Sequence, residues 1–591
     1  MSNRTRSAFK WCVAACLAAV ALVQPAEAQG RVKARMDKAV RDKIATNRAD
    51  ATRVIVRVRP ERHQQMRGTI ERERTRKVRR HLRSLAAYTV ELPANAIEAL
   101  AETDGVVSIS IDAPVRAMNV VPISGDLLQQ TLGVNPASGV TGAGIGIAIV
   151  DSGIAPSADF GNRITHFYDF TTGGQPTAPR DGFGHGTHVA GLAAGSGAGS
   201  LGLYRGVAPG ASLIGLRVLD DAGAGYTSDV IAALEFATAN KAALGIDIMN
   251  LSLGHPPFEP AETDPLVQAV EAAVQAGIVV IASAGNMGTN PTTGLVGYGG
   301  ISSPGNARSA ITVGASSTEG TVTRTDDLIL PYSSRGPSWY DGHAKPDVVA
   351  PGHRLAAPAA PGSYLATSYP HLLVPGTTEM YLRLTGTSMS AAVTSGVAAL
   401  VLESNRRAFQ DPTRPDLSPL GVKAVFQFTA LRLQDENFAA YDYMTQGAGG
   451  LNAAGAMAFA SVIDTTAQPG TPWLVGAVSP FTTFGGDTMS WGQNLVWGDN
   501  LIWGDNLIWG DNLIWGENVV WGENVVWGEN LVWGENVLWG DSFLDEPAAA
   551  VSAPTVVSEP TPTAEPPRRK AATKFKQAQS KKVANRGRRA L

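Results

Sequence analysis

Four short motifs hold the residue types that acyl transfer needs. Val150-Asp151-Ser152-Gly153 sets a carboxylate at the end of an apolar run. Gly184-His185-Gly186-Thr187-His188 sets an imidazole at a glycine-rich opening of a helix, and Gly386-Thr387-Ser388-Met389-Ser390 sets a hydroxyl at a second helix start. A serine hydroxyl is a weak nucleophile and needs an adjacent base. His185 can take its proton and return it to a leaving amine, while an ionised Asp151 holds the imidazole tautomer and stabilises the imidazolium. Glycines around His185 and Ser388 let backbone and substrate approach closely, and the positive helix end at Ser388 favours developing negative charge. Ile281-Ala282-Ser283-Ala284-Gly285-Asn286 adds an amide donor. Asn286 with the Ser388 backbone N–H would make an oxyanion hole.

These motifs stand at the ends of elements, where α/β folds place their sites. Gly146–Val150, Ala211–Val218, Ile246–Leu253, Ile278–Ser283 and Ala310–Gly314 read as strands, and Ser228–Leu244, Thr263–Ala276 and Ser388–Glu403 as helices. The strands are continuous apolar runs, as expected when both faces are covered. Alternating strand and helix over residues 119–464 predicts an α/β domain of three layers around a mostly parallel sheet. Ahead of it, residues 29–118 read as a small α+β unit. Its strands are Val54–Val58, Ala87–Leu92 and Val106–Ile111, with a helix over Asn95–Glu102. Residues 31–83 have 19 Lys/Arg against 6 Asp/Glu. That could mean nucleic-acid binding, but the strands within favour a solvated face of a folded unit.

After a connector at 465–490, residues 491–541 repeat Trp-Gly-(Gln/Asp/Glu)-Asn-(Leu/Val)-(Val/Ile), with Leu538 at the last place of the eighth unit, so that nine of the twelve tryptophans recur every six residues. A period of six keeps strand face parity, which predicts a β-rich segment, stacked hairpins or a short solenoid. A self-packing spacer, binding of a surface, glycan or partner through the aromatic row, and calcium binding by the acidic row all remain open. Residues 542–591 read as a Pro-rich linker and a disordered tail, with ten Lys/Arg in 568–591.

Residues 1–28 read as a secretory signal, with a basic start, a 13-residue apolar run Trp11–Val23 and a cleavage site at Ala26-Glu27-Ala28. A lipoprotein box at Cys16 fits less well, because the apolar run continues past it. Both cysteines, Cys12 and Cys16, lie in this signal. The exported chain would have none, which excludes disulfides, thiol catalysis and thiolate metal sites. No other run is long enough for a transmembrane helix. No long run of amphipathic strands follows to make a membrane barrel.

The order Asp, His, Ser is that of the subtilisins. The sequences around Asp151, His185, Asn286 and Ser388 resemble the signatures of the subtilase family (S8). Arg205-Gly206-Val207-Ala208-Pro209 and Lys345-Pro346-Asp347-Val348-Val349-Ala350-Pro351-Gly352 resemble it too. The resemblance covers about residues 119–464. It implies a subtilisin-like fold and serine endopeptidase activity on protein or peptide substrates, with Asp151, His185 and Ser388 as triad and Asn286 in the oxyanion hole. It further implies that Gly223-Ala224-Gly225 and Ser252-Leu253-Gly254 flank the substrate backbone. Ser252–Gly254 and Ala282–Gly285, including Ala284 and Gly285, would wall an apolar pocket. Arg53–Ala117 is similar to the family's inhibitory propeptides (I9 type), which are intramolecular inhibitors and folding chaperones removed by self-cleavage. That makes nucleic-acid binding by the basic arm unexpected. The family often binds calcium at surface loops, and the chemistry requires no cofactor. The chain departs from the pattern after Ser388-Met389, where Ser390-Ala391-Ala392-Val393 replaces Ala-Ser-Pro-His. It also departs over His353–Thr385, a long segment expected as a surface loop near the site.

Blander readings stand beside these. His188, three residues after His185, lacks a His-Glu-x-x-His pattern and reads as structural rather than as a metal ligand. Gly142-Ala143-Gly144-Ile145-Gly146 precedes its strand, so it is no dinucleotide loop. A vestigial peptidase domain serving adhesion through the repeat is the rival function class.

Overall fold

A computed structural model describes residues 34–46, 51–71, 77–117, 128–290, 292–411, 413–468, 471–492, 496–497 and 508–509. The chain divides into two units, Met1–Gly540 and Asp541–Leu591, and all described residues belong to the first. The expected signal, most of the repeat, the linker and the basic tail lie outside the described residues.

The N-terminal part contains α1 (Lys38–Thr46), β1 (Thr52–Val58), α2 (His63–Glu71), β2 (Lys77–Leu82), β3 (Ala87–Leu92), α3 (Ala94–Ala101) and β4 (Val106–Ile111). Its sheet runs Arg35–Met36, β4, β1, β3, β2, with β4, β1, β3 and β2 antiparallel. Side chains alternate across a strand. Val54, Val56 and Val90 therefore join Val40, Ile97 and Leu100 in a core of the part's own. Ile55, Leu82 and Ala87 belong to a core shared with the following domain. A short strand, β5 (Pro114–Ala117), leaves this part toward the next.

The larger domain is built on a nine-stranded sheet. Its central run is β13 (Ile311–Ser317), β12 (Val279–Ser283), β10 (Ile248–Leu251), β6 (Gly146–Asp151), β8 (Ser212–Arg217) and β7 (Ile164–Asp169). All of these pairs are parallel, and β14 (Val348–Pro351) also joins β13 in parallel. Two-residue antiparallel strands close the edges at Leu328–Ile329 and Gln175–Pro176, so the sheet is mixed. In β6, Ile147 and Ile149 face the core formed by α4 (His185–Ala194) and α8 (Thr387–Phe409). Ala148 and Val150 face the core formed by α5 (Thr227–Ala239) and α6 (Pro265–Gln275). Burial on both faces is why these strands read as continuous apolar runs.

Three sequence expectations differ in extent. The helix begun at Ser388 runs on to Phe409. The run Ile246–Leu253 breaks at Ser252, where β10 ends and β11 (Leu253–Gly254) leaves the sheet. The expected surface loop 353–385 instead contains the buried antiparallel pair β15 (Leu355–Pro358) and β16 (Tyr381–Leu384), with α7 (Tyr364–Ser368) between them.

Packing continues past residue 464. The helices α9 (Pro419–Thr429) and α10 (Ala453–Ala460) are followed by a hairpin, β17 (Phe481–Phe484) and β18 (Asp487–Ser490). Phe484 and Trp491 from this stretch are buried in the same core as α8. In the repeat, Val496–Trp497 pairs in parallel with Ile508–Trp509, twelve residues on. A hairpin would pair them antiparallel.

Candidate active site

β6 delivers Asp151 at its carboxyl end, between β8 and β10, where the order of connections reverses. Doubly wound sheets carry their crevices at such points. His185 is the first residue of α4, and Ser388 the second of α8. All three are fully buried.

His185 Nδ1 lies 2.8 Å from both Asp151 carboxylate oxygens. The ring therefore carries its proton on Nδ1 and presents Nε2 as an acceptor. Asp151 Oδ1 also accepts from the Ser152 N–H at 2.7 Å. His185 Nε2 has no hydrogen-bond partner among the described residues. The Ser388 hydroxyl donates instead to the Ser252 carbonyl at 3.1 Å.

Behind His185 lies a carboxylate that the sequence reading missed. Asp181 accepts from Gly184 N (2.7 Å), Thr187 N (2.8 Å), Thr187 Oγ1 (2.7 Å) and Ser152 Oγ (2.8 Å). It caps the start of α4 and ties that helix to the residue after Asp151. Burial pushes its carboxyl up, against the lowering effect of these donors. An Asp four residues before the histidine, followed by glycine, was the available signal.

Asn286 follows β12. Its Oδ1 accepts from Thr387 N at 3.1 Å and Thr387 Oγ1 at 3.0 Å. With the oxygen so occupied, the amide NH2 is the end left to donate toward Ser388. Thr387 Oγ1 in turn accepts from Gly285 N at 3.2 Å. Thr387 is thus a positioning residue absent from the sequence reading. Gly285 has φ +104°, and a Cβ there would lie 2.3 Å from Ser302 Oγ. On the other side, Ser252 Oγ donates to the Ser388 carbonyl (2.9 Å) and accepts from Asn250 Nδ2 (2.8 Å). Asn250 Oδ1 accepts from Ser395, two turns further along α8.

His188 has the structural role. Its Nε2 lies 3.0 Å from the Leu355 carbonyl and 3.1 Å from that of Leu382, bridging β15 and β16. Burial drives its pKa down to about 3, so it stays neutral. Segment 353–385 also reaches the histidine's approach. Tyr364 N and Leu365 N donate to the Gly182 and Phe183 carbonyls, and the Tyr364 ring stacks on Phe183, 6.5 Å from His185. Among the described residues there is no group of three or more His, Cys, Asp or Glu able to hold a metal ion.

The strands beside Ser388 are occupied. β5 lies between β9 (Ala224–Tyr226) and β11, antiparallel to both. Ala224, Gly225 and Tyr226 face Arg116, Val115 and Pro114, while Leu253 and Gly254 face Ala117 and Arg116. The ladder begins one residue later than Gly223, which sits in the preceding turn (φ +72°) with Phe183 against it.

A family model described as the subtilase family (peptidase S8) matches residues 142–452. Serine protease AprX of Bacillus subtilis (strain 168) is 35% identical over 396 residues, 66% of this chain and 83% of that protein. The chain belongs to the subtilase family. It is accordingly a serine-type endopeptidase. Subtilisin DY of Bacillus licheniformis is 33% identical over 302 residues, 51% of this subtilase and 88% of that one. In fold it resembles the crystal structure of fervidolysin from Fervidobacterium pennivorans, a keratinolytic enzyme related to subtilisin. The TM-score there is 0.54 at 20% identity, covering 72% of this chain and 63% of the other.

Proposed function

We propose that this subtilase is made as a secreted zymogen, that residues 29–118 are its inhibitory propeptide, and that Asp151, His185 and Ser388 hydrolyse the peptide bond. The observation that carries this is the place of β5. A substrate must lie extended beside the nucleophile, and Pro114–Ala117 lies so, between two strands of the peptidase domain. A substrate held in that register brings its next residue opposite Ser252, whose carbonyl holds the Ser388 hydroxyl. In this chain the next residue is Met118. The surrounding walls, Ser252–Gly254 and Ala282–Gly285, are uncharged, which suits a large apolar side chain there.

In the reaction, the Ser388 hydroxyl turns from Ser252 to His185 Nε2, gives up its proton and attacks the scissile carbonyl. The oxyanion is met by the Asn286 amide and the Ser388 N–H. His185 passes the proton to the leaving amine, and water then releases the acyl group by the same steps in reverse roles. Calcium at surface loops is a family expectation on which none of these steps depends. Export rests on the signal-like residues 1–28. Among the described residues, no helix is long and apolar enough to cross a membrane.

The prodomain interface is consistent with this reading. Asp112 accepts from Ser228 N and Oγ at 2.8 and 2.9 Å, capping α5 from outside its own domain, and pairs with Arg53 at 2.8 Å. Arg80 pairs with Asp229 at 2.6 Å. Mass spectrometry of wild type and Ser388→Ala, expressed side by side, tests the proposal. Cleavage after Met118 in the wild type alone is expected. Both chains staying intact, or both being cut alike, would overturn the zymogen reading.

A further inference from the structure

Peptidase chemistry leaves the Trp-Gly repeat unexplained, yet its first unit is built into the peptidase domain. Trp491 is 2% exposed. Its ring packs against Phe428 and Phe459, with centroids 6.1 and 6.3 Å away. Its Nε1–H donates to Thr482 Oγ1 at 3.1 Å. Gly492 follows with φ +73°, and its N–H donates to the Phe428 carbonyl at 3.0 Å. A Cβ at Gly492 would come within 3.3 Å of the Phe428 ring. Left-handed backbone against an aromatic ring suits glycine and little else.

Each of these contacts uses atoms that all nine Trp-Gly units possess. The match extends upstream. Met489, two residues before Trp491, packs against the same core, and in every later unit the residue two before the tryptophan is Leu or Val. One socket thus faces nine equivalent plugs in a single chain.

We propose that this socket is a receptor for the Trp-Gly unit, and that its alternative occupant is a repeat from a second copy of this chain. The resident plug is continuous with β18 and holds the socket at low concentration. A later unit from another copy can remake the Trp-Gly contacts, the kind of exchange that underlies swapping. Eight further plugs on one array let a single chain engage several neighbours, so linked weak contacts add up. The array is then a self-assembly ligand and the peptidase domain carries its reader.

The test uses the full chain with Gly492→Ala, which loosens the plug while keeping the indole, and with Trp491→Ala, which removes it. The probe is a fluorescent peptide of residues 495–504, Leu-Val-Trp-Gly-Asp-Asn-Leu-Ile-Trp-Gly, against the same peptide with both tryptophans replaced by alanine. Both variants are expected to bind the tryptophan peptide roughly tenfold or more tighter than wild type does, and to ignore the alanine peptide. Gly492→Ala should also sediment as larger species with rising concentration. The proposal fails if variants whose near-ultraviolet circular dichroism matches wild type ignore the peptide or bind both peptides alike. If neither variant folds, a photoreactive tryptophan peptide in excess over wild type decides. Labelling around Phe428 and Thr482 supports the socket, and labelling elsewhere or nowhere overturns it.

Discussion

The N-terminal part and the peptidase domain are both sheets covered by helices, yet they are held differently. The central sheet of the peptidase domain is buried on both faces, between two separate cores. The N-terminal sheet has one face on its own core. Its other face lends only Ile55, Leu82 and Ala87 to the neighbour's core. The rest of that junction includes polar contacts: Arg53 donates to Ser228, Asp112 accepts from Ser228, Arg80 pairs with Asp229, Ser84 donates to Glu235, and β5 joins its two neighbours by backbone pairing. Apolar burial makes a permanent body. Charge pairs, caps and one inserted strand make a specific contact that can be undone.

The sharpest break of this comparison is Ser388→Ala. It should leave both parts folded and docked, lower turnover about 10⁴-fold or more, and abolish the proposed cut after Met118, read by steady-state kinetics and intact mass. Asn286→Ala should lower turnover about 10²–10³-fold with a small change in KM, a range taken from the equivalent donor of a subtilisin. Asp112→Ala removes the cap on α5. On the proposed zymogen scheme it should leave the turnover of the processed enzyme unchanged and weaken binding of the N-terminal part about tenfold, measured by inhibition with the separate mutant part.

The smallest effect concerns pH. Burial raises the Asp229 carboxyl to about 6, with Arg80 opposing, and burial raises Glu259 to about 7. The N-terminal part faces both acids through Arg80, Arg53 and Asp112 at Asp229, and through Ser110 and Asp37 at Glu259. A carboxylate whose pKa is higher in the complex than when free binds protons on docking. Its contribution is present at low pH and is lost as pH rises through about 6 to 7. If it is the proposed prodomain, the N-terminal part should therefore release more readily at pH 8 than at pH 5, by about tenfold. Inhibition constants across that range check the sign, and tighter binding at pH 8 would reverse this account of the interface.

Much of the fold was legible because periodicity reports burial. β3 and β4 have the bounds that the sequence predicts, and the central strands differ by one to three residues at their ends. The exceptions have physical causes. Ser252 reads as strand interior, but its hydroxyl and carbonyl are both taken by Ser388, which turns β11 out of the sheet. Segment 353–385 reads as loop because its two strands are four residues each and far apart in sequence. Trp491 reads as the start of a repeat, and only its burial against Phe428 and Phe459 makes it part of the domain.

The sequence by itself determined the residue types and their order: an Asp at a strand end, a His and a Ser at helix starts, and an Asn after a fourth apolar strand. Local motifs can do this because caps, glycine turns and strand ends are written in neighbouring residues. The tertiary structure alone decided what those residues touch. Asp151 and His185 are 34 positions apart and share a hydrogen bond. Asn286 is turned by Thr387, 101 positions on, and Ser388 rests on Ser252 across 136. Such contacts depend on which strands pair and how helices pack over them, and packing is a property of the whole core that no short stretch of sequence encodes.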